Sequence, residues 1–384
     1  MKAFHVGAPN LAPWGEFARL ARGSFARRWL TNRGPLVQQL EAELQRQLGV
    51  QHVILCANGT VALELAARAA GLSGEVILPS FTFVATAHAL QWQGIRPVFA
   101  DVDPLTYNLD PAAVEALITP ATSAIVGVHL YGRPCAIGPL QALADRHGLP
   151  LLFDAAHAFG CADGGRPIGG HGLCEVFSFH ATKVFNTGEG GAISTDNDAL
   201  AERVRLLQNF GFAGEDRVVA LGLNGKMSEL NAALGLANLR HLPRFVAINR
   251  RNLDLYRQGL ATEPGLRLID FSGQSASNYH YAIVEVDGDG FGTGRDQLRD
   301  HLAAHGVLAR RYFTPGCHRQ SPYNGHGKCW LLPQTERLSG RLLALPNGTQ
   351  LGAGDVRRIC RLIRSCPRGG ISFGAETVCP ARDG

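Results

Sequence analysis

Apolar residues in the first half of the chain follow two alternating patterns. Leucine recurs at every fourth position from Leu36 to Leu48, between Pro35 and Gly49, which is typical of an amphipathic helix with a start and a stop signal. Helical patterns also occupy residues 61–71 and 139–148. Between such stretches lie short, almost wholly apolar runs, whose length and composition are typical of buried strands.

Seven of these apolar runs predict the strands of a sheet. They span 52–56, 75–79, 96–100, 124–128, 149–154, 175–179 and 191–195. Because helical stretches separate several of them, we expect an α/β fold whose large domain contains a mostly parallel sheet flanked by helices. The last runs follow one another without room for a crossover helix, so part of the sheet should be antiparallel.

The second half of the chain predicts a smaller α+β domain. Ser228 opens a helix that Pro243 should interrupt, and a second helix should continue towards residue 260. Two strand-like runs follow at 278–287 and 307–313, and two helical stretches at 295–305 and 354–364. The predicted organisation is a large domain at 1–243, a small C-terminal α+β domain at 244–366 and a flexible tail at 367–384.

Composition excludes several classes of protein. The chain has 384 residues, of which 46% are hydrophobic and 18% charged, as in ordinary globular proteins. It contains no apolar stretch long enough to span a membrane and no signal-peptide core, so we predict a cytoplasmic protein without a membrane partner. The net charge of +5 is dispersed, which argues against nucleic acid as a partner. Nine scattered cysteines form no C-x-x-C pair and indicate reduced thiols.

Lysine is rare in this chain, which draws attention to Lys183. Lysine occurs only at positions 2, 183, 226 and 328, and the other 33 of the 37 basic residues are arginine, a bias that nucleotide composition would also produce. Lys183 follows a predicted strand and precedes a glycine-rich turn in SFHATKVFNTGEGGAI (178–193). An amine with a lowered pKa could form an imine with an aldehyde there, whereas arginine could not. A surface lysine in a loop is the alternative.

Asp154 ends the apolar strand within LPLLFDAAHAFG (149–160), at the sheet edge where open α/β folds bind ligands. A carboxylate at this place could keep a pyridine nitrogen protonated, and His157 could reach the same ring or its phenolic oxygen. An aspartate that only caps the following helix is the alternative.

Asn58, Gly59 and Thr60 lie between a predicted strand and a predicted helix. Free amides and the positive end of the helix dipole would bind an anion such as a phosphate, with the Thr60 hydroxyl as a further donor. Ser178, at the end of a neighbouring strand, is a second candidate donor, and Phe83 could stack on a ring. An ordinary capped helix and a core phenylalanine are the alternatives.

Together these segments match the functional groups of pyridoxal 5'-phosphate, whereas motifs for other cofactors are absent or weak. Neither G-x-G-x-x-G nor a P-loop occurs, which argues against a dinucleotide-dependent dehydrogenase and a nucleotide hydrolase. His301 and His305 in HLAAH share a helix face but lack the glutamate of a zinc protease, and Asp101 and Asp103 in DVD only imitate a metal motif. We predict no metal site.

Six motifs in this order resemble the DegT/DnrJ/EryC1/StrS family of sugar-nucleotide aminotransferases that depend on pyridoxal 5'-phosphate. They are NGTVALELA, LPSFTFVATAHA, FADVDPLTYNLDP, DAAHAFG, SFHATKVFNTGEGGAI and LNGKMSELNAALG, and the resemblance spans about residues 28–365. It implies a fold type I transferase (the aspartate aminotransferase fold) with a large and a small domain, which forms a homodimer with active sites shared between its subunits.

The resemblance also implies roles for individual residues. Lys183 would carry the cofactor as an imine, Asp154 would hold the pyridine nitrogen and His157 would lie near the ring oxygen. The remaining cofactor contacts would be Gly59, Thr60 and Ser178 at the phosphate, Phe83 on the ring, and Asn224 of the opposite subunit at the same phosphate. Substrate contacts are predicted for Tyr131, His180, Tyr312 and His318.

The predicted activity is transfer of an amino group from glutamate to a nucleotide-linked keto sugar. The form FHATKxFNT resembles members that act at C4 of a dTDP-4-keto-6-deoxyhexose. Amination at C3, and the dehydration catalysed by relatives whose lysine is replaced by histidine, remain alternatives, although Lys183 favours amination. A catalytically silent relative that binds the cofactor as a regulator is a third possibility.

Overall fold

The structure, a computed structural model, describes residues 3–270, 276–324 and 330–369. Its strands are β1 (Phe4–His5), β2 (His52–Cys56), β3 (Glu75–Pro79), β4 (Arg96–Ala100), β5 (Thr122–Val128), β6 (Leu151–Asp154), β7 (Ala162–Asp163), β8 (Arg166–Pro167), β9 (Cys174–Ser178), β10 (Gly191–Thr195), β11 (Leu266–Leu268), β12 (Ala282–Val286), β13 (Val307–Leu308) and β14 (Leu342–Leu345).

Helices connect and cover these strands. They are α1 (Trp14–Arg27), α2 (Pro35–Leu48), α3 (Gly59–Ala69), α4 (Ala85–Gln91), α5 (Pro111–Glu115), α6 (Ile137–His147), α7 (Asp198–Leu207), α8 (Glu229–Leu260), α9 (Gly288–Phe291), α10 (Arg295–Ala304), α11 (Ser321–Asn324), α12 (Pro333–Arg341) and α13 (Ala353–Arg364), with short 3-10 turns at Leu130–Gly132 and Cys317–Arg319.

A seven-stranded sheet in the order β2-β10-β9-β6-β5-β3-β4 forms the centre of the fold. Neighbouring strands are parallel except for β10, which is antiparallel to both β2 and β9. The α/β fold class and the antiparallel part of the sheet are therefore confirmed. Because β9 and β10 are antiparallel neighbours, the segment that joins them lies at the edge of the sheet where β2, β6 and β9 end.

Helices cover both faces of this sheet, as alternate residues of its strands show. Ile54 and Cys56 of β2 pack in a cluster with residues of α3 and α7. Val53 and Leu55 point the other way, into a cluster with residues of α2 and α8. Successive side chains of a strand lie on opposite faces, so a strand buried on both sides is apolar throughout. This explains why the strands appear in the sequence as almost wholly apolar runs.

Helix α8 is continuous through Pro243, so the predicted interruption at this residue is wrong. Proline within a helix removes one hydrogen bond and costs about 3 kcal/mol. Leu242, Phe245 and Leu253 are buried around or beyond it. Burial of each such side chain contributes roughly 1.5 to 3 kcal/mol, so packing outweighs the cost of the proline. The helix spans the domain boundary predicted between residues 243 and 244. The division into two domains at this point stays a prediction.

The C-terminal part contains an antiparallel sheet in the order β11-β12-β14. The strand predicted at 307–313 is shorter than expected, because only Val307–Leu308 pairs, and it does so in parallel with Phe4–His5. After β13 the chain makes a single bridge between Arg310 and Ala344 and then turns towards the main sheet. The N-terminal strand β1, which the sequence analysis did not predict, thus pairs with the C-terminal part.

Most of the tail predicted at 367–384 lies outside the described residues. Of its first residues, Arg368 forms an ion pair of 2.7 Å with Glu263. Among the helices that the structure describes, none combines the length and the apolar character needed to cross a membrane.

Candidate active site

A cleft of about 500 Å³ opens at the sheet edge where β2, β6 and β9 end. It combines residues from the large sheet with residues that follow β13. Nine of the residues predicted for the site line it: Gly59, Thr60, Phe83, Asp154, His157, Ser178, His180, Lys183 and Tyr312.

Lys183 lies in the segment between β9 and β10, at the centre of this edge. Its backbone N–H donates to the carbonyl of His180 at 2.9 Å. The backbone N–H of Thr187 donates to the Phe179 carbonyl at 2.9 Å, which closes the loop around Lys183. Burial lowers the pKa of the Lys183 amine to about 8, although the nearby carboxylate of Asp154 opposes this shift. A substantial fraction of the amine is therefore neutral near physiological pH, as a nucleophilic lysine requires.

Asp154, the last residue of β6, is buried and held at both carboxylate oxygens. Oδ2 accepts a hydrogen bond of 2.8 Å from the Thr86 hydroxyl, and Oδ1 accepts one of 3.0 Å from the Ala156 N–H. Burial raises the pKa of Asp154, whereas these two donors and Lys183 oppose the rise. The carboxylate lines the cleft in a fixed orientation and, when ionised, can pair with a further cation there.

His157 contributes a neutral imidazole to the cleft. Its Nδ1 accepts a hydrogen bond of 3.1 Å from the N–H of Tyr131, so the ring proton is on Nε2. Burial, together with Lys183 and His280, lowers the pKa of His157 well below its usual value. The ring is stacked parallel to Phe313, with centroids 5.9 Å apart. This packing fixes the direction in which Nε2–H can donate.

The first turn of α3 forms an anion site at one end of the cleft. Asn58 caps the helix, its side-chain oxygen accepting from the Val61 N–H at 2.9 Å. Within the described residues, no acceptor takes the amide hydrogens of Gly59 and Thr60. Ser178 stands beside them, and a Cβ on residue 59 would approach the Ser178 Cβ to 2.9 Å. The absence of a side chain at Gly59 therefore allows the N-terminus of α3 to approach the end of β9. The free amides of Gly59 and Thr60 then lie next to the hydroxyl of Ser178.

Phe83 is 56% exposed although it is a large apolar residue, because its ring lies on the wall of the cleft. Its nearest aromatic contact is Phe313, at a centroid distance of 6.3 Å. One face of the ring is available to a planar ligand.

Three predicted site residues do not line the cleft of this chain. Tyr131 is fully buried behind His157, where its hydroxyl donates to the Tyr312 carbonyl. His318 is buried, and its ring Nδ1 forms a hydrogen bond of 2.7 Å with the Ser80 hydroxyl. Asn224 is exposed and bridges to Asn209, away from the cleft lining of its own chain.

The residues of the weaker metal motifs have structural partners. Asp101 accepts hydrogen bonds from the N–H groups of residues 334 and 335, and Asp103 accepts from those of residues 105 and 106. His301 contacts the Leu362 carbonyl at 3.1 Å, and His305 contacts the carbonyl of His301. Across the described ranges, no group of three or more potential ligands is placed to hold a metal ion.

The sequence analysis missed two residues that line the cleft and one that supports it from behind. Tyr281 packs on His157 at a centroid distance of 4.5 Å, and Arg310 brings an exposed guanidinium 5.8 Å from the Tyr312 ring. Thr86, which holds Asp154, was also missed. The basic pair in ARRYF, next to the predicted Tyr312, was the available signal for Arg310. No local pattern marks the other two.

The fold and the site define an α/β transferase of fold type I, with an amine, a buried carboxylate and a helix-terminal anion site in one cleft. The description of the family whose model matches residues 15–364 is "DegT/DnrJ/EryC1/StrS aminotransferase family". The chain belongs to this family and is an aminotransferase.

Individual relatives agree with this classification. The dTDP-4-amino-4,6-dideoxy-D-glucose transaminase of Shigella dysenteriae is 40% identical over 364 residues, which covers 94% of this chain and 99% of the relative. The transaminase of the same name from Escherichia coli is 38% identical, with coverages of 94% and 98%. The solved structure of DesI in the presence of its TDP-sugar product has a TM-score of 0.92 and 49% identity, and covers 95% of this chain and 93% of that chain.

Proposed function

We propose that this aminotransferase uses pyridoxal 5'-phosphate to move an amino group from glutamate to a dTDP-4-keto-6-deoxyhexose, giving the 4-amino sugar. The observation that carries the proposal is the placement of a partly neutral amine, Lys183, in one cleft with the buried carboxylate of Asp154 and an anion site at α3. These groups correspond to the aldehyde, the ring nitrogen and the phosphate of the cofactor.

The residues of the cleft fit the cofactor at each of its polar groups. The free amides of Gly59 and Thr60, with the hydroxyl of Ser178, would hold the phosphate. Asp154 would pair with the protonated ring nitrogen, and Nε2–H of His157 would donate to the phenolic oxygen. When bound, the cofactor supplies an electron sink for the carbon that loses a proton.

The ring itself would lie between walls that this chain provides. Phe83 offers an exposed aromatic face, and the small residue Ala156 lines the cleft between Asp154 and His157. Lys183 would be the base that moves a proton at the adjacent carbon, since burial lowers the pKa of its amine to about 8.

The substrate assignment is supported by the relatives and by one exposed cation at the wall of a cleft that also holds the carboxylates of Asp154 and Glu189. The two transaminases bear the name of a dTDP-4-amino-4,6-dideoxyglucose, and DesI was solved with a TDP-sugar product. The lining of the cleft includes two basic residues, Lys183 and Arg310, and Arg310 is exposed at the wall. We propose that Arg310 contacts the diphosphate of the sugar nucleotide.

The functional unit is proposed to be a homodimer with shared sites. Asn224 would reach the cofactor phosphate of the opposite subunit, as the family resemblance implies. The segment leading to Asn224 exposes apolar side chains, among them Phe210, Val218 and Leu221, the last of which is 80% exposed. Such exposed apolar surface is typical of a protein interface. A cytoplasmic location remains a prediction from the sequence.

Borohydride reduction followed by peptide mapping tests the cofactor site. The label should lie on Lys183, and the half-buried Lys226, which donates to Asn209, serves as an internal control because it lies outside the cleft lining of its own chain. Label on Lys226 alone, or none, would contradict the proposal. Lys183→Arg should retain the fold and lose both the label and turnover, because a guanidinium does not form the imine.

A substrate panel tests the reaction. Nucleotide-linked 3-keto and 4-keto sugars are incubated with glutamate and the enzyme, and the products are identified by mass. Conversion of the dTDP-linked 4-keto sugar is expected. Preferred conversion of a 3-keto sugar would favour the C3 aminotransferase, loss of water without amination would favour the dehydratase, and a labelled protein without turnover would favour the regulator.

A further inference from the structure

The segment 277–281, which precedes β12, contacts both loops that carry the candidate catalytic residues. We name it the clamp segment. The side-chain amide of Asn278 donates to the carbonyl of His157 at 2.8 Å and to that of Phe159 at 3.0 Å. The ring Nε2 of His280 lies 2.8 Å from the carbonyl of Thr182, to which it donates. One short segment thus fixes the main chain beside His157 and beside Lys183.

The peptide unit before Lys183 is held at both of its polar ends. Its N–H, which belongs to Lys183, donates to the His180 carbonyl at 2.9 Å. Its C=O, which belongs to Thr182, accepts from His280. Because a peptide unit is planar, fixing both ends fixes the plane from which the Lys183 side chain leaves the backbone.

The clamp segment is itself rigidly supported. Asn347 donates its side-chain amide to the Tyr279 carbonyl at 2.8 Å, and Asn249 donates to the Asn278 carbonyl at 3.1 Å. The side-chain oxygen of Asn278 accepts from the backbone N–H of His280 at 3.0 Å. These bonds connect the clamp segment to helix α8 and to the end of β14, so that the position of His280 is determined by the surrounding fold.

A neutral imidazole suits this place. Burial lowers the pKa of His280 to about 4, so the ring donates a hydrogen bond without carrying a charge next to Lys183. A lysine or arginine would fix the same carbonyl but would add a full positive charge beside the amine. The ionisable groups that influence Lys183 and His157 here are Asp154, Lys183 and His280 themselves.

We propose that His280 is a positioning residue for Lys183. The hydrogen bond of His280 to the Thr182 carbonyl places the amine of Lys183 between Asp154 and His157. This inference rests on the proposed role of Lys183 as the residue that carries the cofactor. It assigns to the clamp segment a part in the reaction although His280 itself is not on the wall of the cleft.

The test compares His280→Gln with His280→Asn. The glutamine amide nitrogen lies near the position of Nε2 and can reach the Thr182 carbonyl, whereas the shorter asparagine places its amide near Nδ1. The rate at which pyridoxal 5'-phosphate attaches to Lys183 of the apoprotein is measured against pH by borohydride trapping and peptide mapping. His301→Asn is the matched control, since it removes a similar contact of 3.1 Å between a histidine ring and a carbonyl, and neither His301 nor Leu362 lines the cleft.

We expect His280→Asn to slow attachment by roughly 10- to 100-fold, because a small displacement of a reacting group has effects of that order. The pH midpoint of attachment should also rise, since a less confined and better hydrated amine has a pKa nearer to that of free lysine. His280→Gln and His301→Asn should retain the rate and the midpoint of the wild type.

Two results would overturn the inference: an unchanged rate and midpoint in His280→Asn, or equal losses in the Gln and Asn variants. If the Asn variant is not recovered folded, His280→Phe, which retains the buried ring and removes the donor, takes its place. A wild-type protein that attaches no cofactor at Lys183 would instead contradict the proposed function, so the two failures are distinguishable.

Discussion

Lys183 and Asp154 influence each other's charge across the cleft. Burial lowers the pKa of the Lys183 amine to about 8, and the carboxylate of Asp154 limits the shift. In turn, Lys183 opposes the rise that burial causes in the pKa of Asp154. The two residues lie on different segments, one at the end of β6 and one between β9 and β10. Their coupling gives a prediction with a defined sign.

Replacement of Asp154 by asparagine should move the pKa of Lys183 below 8, because it removes the anion that stabilises the ammonium form. Only the neutral amine reacts with an aldehyde, so the pH midpoint for labelling Lys183 in the apoprotein should shift to lower pH. With cofactor present, turnover should fall severely, since an amide does not keep the ring nitrogen protonated.

Thr86→Val is the control for this substitution. It removes the hydrogen bond of 2.8 Å to the carboxylate but retains the charge of Asp154. Its labelling midpoint should therefore stay close to that of the wild type. An upward or absent shift in Asp154→Asn, or near-normal turnover of the folded, cofactor-loaded variant, would show that Asp154 does not act as proposed.

Arg310 should contribute to substrate binding more than to the chemical step. A hydrogen bond to a charged group contributes about 1.5 to 3 kcal/mol, so Arg310→Gln should raise KM for the sugar nucleotide by roughly 10- to 100-fold, with little change in kcat. Steady-state kinetics with each substrate varied in turn would measure this. The KM for glutamate should change less.

The neighbouring Arg311 provides a matched control for Arg310. Its guanidinium lies 3.4 Å from Asp296, on the helix α10 side, and it is not part of the cleft lining. Arg311→Gln should leave both KM values unchanged. A larger effect of Arg310→Gln on glutamate than on the sugar nucleotide would reassign Arg310 to the carboxylate of the amino donor.

At the scale of secondary structure, two helices begin with the same kind of cap but have different surroundings. Asn58 caps α3 at the cleft, and Asn197 caps α7 through a bond of 2.8 Å to the Leu200 N–H. Asn58→Ala and Asn197→Ala should each lower the free energy of unfolding by about 1 kcal/mol. Only Asn58→Ala should weaken binding of pyridoxal 5'-phosphate, because only α3 presents its first amides to the cleft.

Denaturant unfolding of the apoproteins and titration with the cofactor would separate these two effects. Equal loss of cofactor affinity in both variants would mean that general destabilisation, and not the terminus of α3, is responsible. Unchanged affinity in Asn58→Ala would remove the first turn of α3 from the proposed phosphate site.

The central sheet could be predicted from the sequence because most residues of its strands are buried on both faces, so that the strands are almost wholly apolar runs. The predicted strands also defined the edge at which they end. Lys183, Asp154 and the turn at Gly59 could be selected as candidate site residues because each follows or ends such a strand. Helix α8 could not be predicted correctly, since the cost of Pro243 is local and visible in the sequence, whereas the packing that outweighs it comes from distant residues.

The rest of the site depends on contacts between distant parts of the chain. Asn278 and His157 are 121 positions apart, and His318 pairs with a serine 238 positions away. Nothing near these residues in the sequence indicates such partners. For the same reason Tyr131 could be identified as a residue near the site but not as one buried behind His157.

At the scale of the whole molecule, the described chain supplies the cleft at the sheet edge, and one predicted cofactor contact, Asn224, lies outside the lining of that cleft. Asn224 is exposed and does not line the cleft, while its segment carries exposed apolar residues. If a two-fold axis brings each Asn224 to the opposite site, as the proposed function requires, the dimer has two identical shared sites. Subunit mixing tests this arrangement directly.

Lys183→Ala and Asn224→Asp should each inactivate a homodimer, the first by removing the amine and the second by repelling the phosphate. In a mixed dimer with shared sites, one site collects both lesions and the other has neither, so equal mixing should restore roughly a quarter of wild-type activity. Mixing Lys183→Ala with Asp154→Asn is the control: both residues act in the site of their own chain, so every site stays defective. If subunit exchange is demonstrated by mass and activity stays absent in the first mixture, Asn224 does not act across an interface.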